Sequence, residues 1–599
     1  MTALPVGRLA IPVLIVVVAA VLGLRARLGL DLGDGTHAVE LSMRLARGDQ
    51  PFRDEMNLQV LGAWPAVPFV WVWLHTVGVD GIVLASRVYF VLLALAGAAL
   101  AWRAVGGALG RVSTGVAAVA AVVPTAYNLQ LVGYNTTPAL LYLVAASSAV
   151  GAMVRGAAAP SPASSVSSVP SVSSVSSASS SRWPVVWAVV AGAAAALGAV
   201  SHPVTAPAGV LLLLVSVLWA RGRVRLALVG GAAGASLVVA ALAVALWGVS
   251  QVRETLAFTA DYQSARVDRV GRVAGWLGYL GGELAQPAVL LALGLGIAAG
   301  VALSRRSRLA GPLLLGAVAL TAGTGLTRSA SSATFSVSAW LSPVMALVLS
   351  LVLLPAAVVS ATLLRGAAVR LLTVGAIPSA VGAVCVAGFT ASSPTWGAVG
   401  SCLAPGVFAV IACALSGLLR LRAPAGADSS RRRGAVARWS TAAVGSAVLV
   451  ALLASHVATS FRDGPVGRLD AAAPTGAYAG LLTTDRRAAD VAAAQGVLRS
   501  CATTGSSVLA IGYPAAYLMG DVRFATPVTW LADFGPSTSH LVRWFDERGT
   551  LPDCVVRPAR WWQGSGGAPE ADPLRAWVEA RYVTAAATPT LVVLRRTDR

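Results

Sequence analysis

Apolar positions in this chain are not spaced out; they run together. Stretches at 8–24, 82–102, 113–131, 137–154, 184–200, 204–220, 226–248, 284–303, 310–327, 338–363, 371–391, 398–418 and 440–459 are apolar and almost free of charge. A helix of about 20 such residues satisfies its own backbone and is long enough to cross a bilayer. The pattern therefore predicts an α-helical polytopic membrane protein with about thirteen spans. The run 8–24 also has the look of a signal peptide. It lacks a small-residue cleavage site, which favours an uncleaved first helix. A further run, "AWPAVPFVWVWLHTVG" at 63–78, is short, Pro-broken and Trp-rich.

Charge placement decides how that run is read. With 63–78 lying on the surface and the N-terminus cytoplasmic, Arg103, Arg111, Arg155, Arg182, the "RGRVR" at 221–225, the "RRSR" at 305–308, Arg365, Arg370 and the Arg-rich stretch 420–433 all fall inside. That is the positive-inside distribution. A crossing at 63–78 would invert it, so this run is expected to be an interfacial helix with its aromatics at headgroup depth. After the last span the pattern changes. "SSVLAIG" (506–512), "DCVVRPA" (553–559) and "TPTLVVLRR" (588–596) read as strands, and 485–499 and 538–549 as helices. The expected organisation is a transmembrane domain over 1–459 and a small extracytoplasmic α/β domain over 460–599. The first outward loop covers 26–81 and a second covers 249–283. The Ser-rich stretch within 156–183 reads as a cytoplasmic linker, a spacer rather than a phosphorylated segment.

Composition agrees. The 599 residues are 56% hydrophobic and 12% charged, with a mean hydropathy of +0.74. All 45 basic residues are arginine, which with the abundance of Ala, Val and Gly points to a GC-rich bacterial genome. The net charge of +20 does not indicate nucleic acid, because the excess arginine lies in short loops between spans. Cys385, Cys402 and Cys413 lie in apolar runs and read as packing residues. Cys501 and Cys554 lie on the outward side, where a disulfide is expected; two thiols or a metal pair are the alternatives.

Residues 29–59 of the first outward loop hold six acids, Asp31, Asp34, Glu40, Asp49, Asp54 and Glu55, in a chain otherwise poor in them. "HAVELSMRLAR" at 37–47 has amphipathic spacing and reads as a surface helix, with Asp34 at or near its N-cap. Asp49, Asp54 and Glu55 read as solvated charges of a turn between two helices.

The loop "GLDLGDGTHAVELSMRLARGDQPFRDE" and the order of elements around it resemble the GT-C superfamily of integral-membrane glycosyltransferases. The nearest likenesses are the protein O-mannosyltransferases and the lipid A aminoarabinose transferases. The shared pattern is an acid, a surface helix, "RLARG" (44–48) and "PFRDE" (51–55). The resemblance implies a catalytic base in this loop, Asp34 or Asp31. It also implies a polyprenyl-phosphate-sugar donor and an extracytoplasmic acceptor: a glycan, a glycolipid or a protein. A carboxylate would deprotonate the attacking hydroxyl, and cations or a metal would stabilise the leaving phosphate. Arg253, Arg266, Arg269, Arg272 and Arg328 are the candidate phosphate ligands, against a bland role as loop charges near lipid headgroups. Tyr134, Asn135 and His202 are candidate lining residues, with a helix-end role the alternative for His202. The sequence departs from the aminoarabinose transferases after residue 60, where their Lys-Pro-Pro segment is missing. Some relatives carry a metal-binding Asp near the stretch 127–138, where this chain has Asn instead, which weighs against a metal, and a divalent cation stays an open expectation. Mannose, arabinofuranose and glucose all stay open as the sugar. A transporter or flippase and a non-enzymatic cell-envelope assembly protein are the rival readings. The first would require internal repeats and mid-membrane acids, neither of which the sequence shows.

Overall fold

The computed structural model describes residues 6–157, 182–264, 268–331, 340–390, 396–421, 427–460, 462–503, 505–530, 538–549, 551–559 and 572–597. The Ser-rich run 159–181 and Arg266 lie outside the described residues. The chain is a multi-pass helical membrane protein with a β-sheet region at its C-terminal end. Its helices are α1 (Val6–Ala26), α2 (Asp34–Ala46), α3 (Val67–Thr76), α4 (Ile82–Leu109), α5 (Arg111–Val122), α6 (Thr137–Ala157), α7 (Trp183–Ser201), α8 (Ala206–Trp219), α9 (Gly222–Ser264), α10 (Arg269–Leu284), α11 (Pro287–Ser304), α12 (Ala310–Ser331), α13 (Ser342–Leu364), α14 (Ala367–Phe389), α15 (Trp396–Leu419), α16 (Ala427–Ala458), α17 (Asp485–Leu498), α18 (Ala516–Gly520), α19 (Thr538–Arg548) and α20 (Pro573–Glu579). Among the described residues, 10 helices are long and apolar enough to cross a membrane, and α1, α5 and α8 supply shorter apolar segments. Leu237, Leu242 and Leu246 of α9 are exposed, as side chains facing lipid would be.

Two features bear on the path of the chain. Helix α3 has 10 residues, roughly 15 Å of rise, half of what a bilayer core requires. In addition, Arg25 near the end of α1 donates to the carbonyl oxygens of His456 and Thr459 at the end of α16. Both helices therefore leave the bundle on the same face, and the number of crossings from α1 to α16 is odd.

The expected loop at 249–283 is instead helical. Helix α9 spans 43 residues in two parts that meet at a non-helical break at Gly248, φ 79°, and the part before the break is by itself long enough for a bilayer core. In the second part Gln251 and Thr255 donate to the carbonyl of Phe52, at 2.7 and 2.8 Å. The local reason is that Gly248 takes a positive φ that ends the apolar helix, and a second helix starts directly after it.

The C-terminal region contains β1 (Ala471–Ala472), β2 (Leu482–Thr483), β3 (Ser507–Ala510), β4 (Arg523–Phe524), β5 (Cys554–Pro558), β6 (Tyr582–Ala587) and β7 (Leu591–Arg596). The main sheet has the order β4-β3-β5-β7-β6. Strand β3 pairs in parallel with β4 and β5, and β7 pairs antiparallel with β5 and β6. Alternating strand burial packs Val508, Ala510, Val556 and Val593 into one core, and Leu509, Val555 and Leu594 into another with α19 and α20. Cys501 and Cys554 are bonded across 53 residues.

This region is fastened to the first loop. Asp463 accepts from the Leu30 amide and the Thr483 hydroxyl, both at 2.6 Å. The Gly29 amide donates to Leu482. Arg44 donates to Asp49 at 2.7 Å, to Glu55 at 2.9 Å, and to the Thr526 carbonyl and the Thr529 hydroxyl. Glu55 is completely buried. The sequence reading of Glu55 as a solvated turn charge is therefore corrected. "RLARG" and "PFRDE" form a buried ionic clamp between the first loop and the C-terminal region.

Candidate active site

The site is built where α1 ends and α2 begins. The chain turns at residues 31–33, and α2 starts at Asp34 with Gly33 as its N-cap. Asp34 does stand next to the N-cap, as expected, but the capping hydrogen bonds come from Asp31. Its two carboxylate oxygens accept from the amides of Gly33 at 3.1 Å and Gly35 at 2.5 Å. The orphan donors at the helix start are thus met by Asp31, and the Asp34 carboxylate is left to other partners.

Those partners come from distant segments. Arg462, just beyond α16, is 3.0 Å from one Asp34 oxygen. The Tyr134 hydroxyl donates to the other at 3.4 Å. Gly33 makes room for Arg462, since a Cβ there would lie 2.1 Å from its guanidinium. Gly62 does the same for Tyr134, whose Cα would be 2.2 Å from a Cβ. Tyr134 stands edge-on to His202 at 5.4 Å and to His37 at 6.2 Å. His37 meets Trp530 at 5.4 Å, and Arg462 lies over the Trp530 ring at 5.5 Å. Asp34, Tyr134, His37, Trp530 and Arg462 therefore close a ring. Asp34, Tyr134 and His37 are its buried floor, and Trp530 and Arg462 its solvent-facing rim.

Burial governs the electrostatics. It pushes the Asp34 carboxyl up to about 6; Arg462 and the Tyr134 hydrogen bond oppose the shift and Asp31 adds to it. Burial also raises Asp31, against the pull of Arg462 and the two amides. His37 and His202 are pushed down to about 4 by burial, so both are neutral near pH 7. His37 Nε2 is 2.9 Å from Gln59 Oε1. Glu40 is fully buried, its oxygens have no hydrogen-bond partner among the described residues, and burial raises it well above the usual range. Behind Asp31 lies a polar cavity of about 10 Å³, room for about one water, lined by Arg25, Arg87, Asn128 and Gln130.

The structure gathers Asp31, Asp34, Tyr134 and His202 as one group. Asn135 hydrogen-bonds Tyr134 and accepts from Ser401. Of the expected phosphate ligands, Arg253, Arg269, Arg272 and Arg328 lie elsewhere. Arg269 packs over Phe389 at 4.8 Å and Arg272 donates to the Thr390 carbonyl, both at the end of α14. Arg328 is ion-paired to Glu283 at 2.9 Å. Arg253 is exposed on the outer half of α9. Arg462, His37, Gln59 and Trp530 were not singled out in the sequence. A lone arginine in "SFRDG" directly after the last span was the available signal for Arg462. The residues present do not fit a divalent cation. The Asp31 oxygens are taken by amides and the Asp34 oxygens by Arg462 and Tyr134. Among the described residues no three His, Cys, Asp or Glu side chains converge.

No family model matches the chain, and no curated protein matches it in sequence. It is similar to the solved structure of ArnT from Cupriavidus metallidurans in the apo state. The identity is 12%, the coverage 98% of each chain and the TM-score 0.42. At that level the likeness assigns neither family nor function.

Proposed function

We propose that this protein is a membrane glycosyltransferase of the GT-C type. It moves a sugar from a polyprenyl-phosphate donor to a hydroxyl of a glycan, lipid or protein at the extracytoplasmic face of a bacterial plasma membrane. The N-terminus is cytoplasmic in this reading, and the C-terminal region and first loop are outside. The observation that carries it is Asp34: a buried carboxylate at the start of α2, relieved of capping by Asp31 and raised toward neutral pH. A base poised near working pH is what deprotonation of an attacking hydroxyl requires.

In the reaction the acceptor oxygen bonds to the anomeric carbon as its proton passes to Asp34. The bond from that carbon to the phosphate oxygen breaks, and the lipid phosphate leaves with the electron pair. Arg462, paired with Asp34 and half exposed, is the guanidinium best placed to meet the phosphate charge. It takes the role expected of Arg253, Arg266, Arg269, Arg272 and Arg328.

The test is sugar transfer from radiolabelled polyprenyl-phosphate sugars in membranes carrying the wild type or Asp34→Asn. The substitution should lower turnover by about 10²–10⁴-fold with little change in protein level. Wild-type turnover in Asp34→Asn with a dead Asp31→Asn would move the base to Asp31. Full activity in both would remove the loop from the chemistry.

A further inference from the structure

We infer that the end of the helix bundle away from Asp34 holds the phosphate of an anionic membrane lipid, between Arg155 and Arg370. The inference rests on the fold and does not depend on the glycosyl-transfer reading.

Helix α6 starts at Thr137, close to Tyr134 and the candidate active site, and ends at the opposite face of the bundle with Arg155 in its last turn. Arg155 donates to the carbonyl oxygens of Arg103 and Ala104 in α4, at 3.0 and 2.9 Å, and lies over the Trp187 ring of α7 at 5.3 Å. Arg370, at the start of α14, donates to the Met153 carbonyl of α6 at 3.4 Å. It lies over the ring of Trp219, the last residue of α8, at 5.9 Å. The end of α6 thus gathers both guanidiniums. Arg225, in the first turn of α9, is held nearby by the Val217 and Ala220 carbonyls, both at 3.1 Å.

These contacts orient the guanidiniums and leave their charge uncompensated. None of the ion pairs among the described residues includes Arg155, Arg225 or Arg370. Residues 81–253 and 284–427 contain no Asp or Glu at all. Helices α4, α6, α7, α8 and α14 therefore bring arginine to this face and no acid, and the Ser-rich run between α6 and α7 adds none. Arg155 and Arg370 are half-buried, and Arg370 Nε is buried with no acceptor among the described residues. A buried donor calls for a partner, and a charge sunk between helices calls for a counter-charge. Phosphate supplies both, through oxygens that match the planar guanidinium.

The surroundings favour a lipid as the source of that phosphate. Trp219 is exposed beside Arg370, and Val210, Leu214 and Leu218 form an exposed apolar stripe at four-residue spacing along α8, leading up to it. A lipid with its headgroup at Arg370 lays its chains along that stripe, whereas a soluble anion has no use for it. Basic pockets between helix ends attract anionic headgroups in this way.

The experiment uses the purified full-length protein in detergent, with phosphatidylglycerol, phosphatidylcholine and inorganic phosphate as probes. Native mass spectrometry counts the retained lipid across a concentration series. Phosphatidylglycerol should bind more tightly than phosphatidylcholine, and excess inorganic phosphate should not displace it. Arg155→Gln combined with Arg370→Gln should weaken phosphatidylglycerol binding roughly 10–30-fold. Arg305→Gln combined with Arg308→Gln, which removes two exposed arginines from the turn between α11 and α12, should leave it unchanged. A phosphatidylglycerol carrying a photoreactive group beside its headgroup should crosslink within residues 210–219 of the wild type, a reading that needs no variant to fold. Equal binding of phosphatidylcholine, or equal loss in the two double variants, would reduce the site to a general basic face and overturn the inference. Displacement by inorganic phosphate would replace the lipid with a soluble anion, and crosslinks confined to other helices would remove the site.

Discussion

Asp34 and Arg462 face each other at 3.0 Å, one directly after the first span and the other directly after the last. Their pairing sets the ionisation of the site. Burial raises Asp34 to about 6, and Arg462 is the largest influence holding it down.

A base works only when deprotonated. Turnover should therefore fall as pH drops through about 6. Arg462→Gln removes the charge that favours the carboxylate, so the acid limb should move to higher pH as turnover falls. A wild-type limb near the ordinary carboxyl value, or one unmoved by Arg462→Gln, would contradict the assignment.

Asp31 should behave as a structural acid first. Asp31→Ala loses the acceptor for the Gly33 and Gly35 amides, at a cost of about 0.5–2 kcal/mol. Asp34→Asn removes no cap and should unfold close to the wild type. Thermal unfolding in detergent compares them. If Asp31→Ala unfolds at the wild-type temperature, the capping account fails.

Arg44→Met should be among the most damaging single changes in the first loop. It strands Glu55, which is fully buried, and loss of one partner of a buried pair costs about 3–5 kcal/mol. Limited proteolysis should then cut the segment around residues 521–549 more readily. Adding Glu55→Gln should recover part of the loss. An unchanged digestion pattern in Arg44→Met would show that the clamp does not hold the two regions together.

The Cys501–Cys554 bond closes a loop of 53 residues. Chain-entropy reasoning gives about 2–4 kcal/mol for such a closure. Cys501→Ser should lower the unfolding temperature of the C-terminal region without touching the transmembrane helices. Non-reducing peptide mapping of protein from native membranes reads the bond itself, and free thiols at both positions would refute it.

The thirteen apolar runs were legible because each span must satisfy its own backbone, which writes helix length directly into composition. Strands β3, β5 and β7 were legible from short runs rich in Val and Leu. The spacing of 37–47 revealed α2, but its reading as a surface helix is corrected, because Asp34 to Arg44 are all buried under the C-terminal region and the neighbouring helices; nor did it show which acid caps the helix, because Asp31 and Asp34 are equally suited by residue type. The outer half of α9 was hidden by Gly248 and by arginines that read as loop charges. Glu55 and Arg462 were opaque for a common reason. What closes over the Arg44–Glu55 pair is Thr526 and Thr529, and what meets Arg462 is Asp34, so in each case the decisive contact comes from far along the chain. His37 and Trp530 were missed likewise, since each gains meaning only by touching the other.

Because Arg25 ties the end of α1 to the end of α16, the site is also a record of synthesis. Asp34 emerges early and waits beside an unfinished bundle while the remaining spans are threaded. Its guanidinium partner is translated only after the last of them. A nascent chain that stops at residue 459 holds Asp34 without Arg462, so the pair at the candidate site can close only late in synthesis.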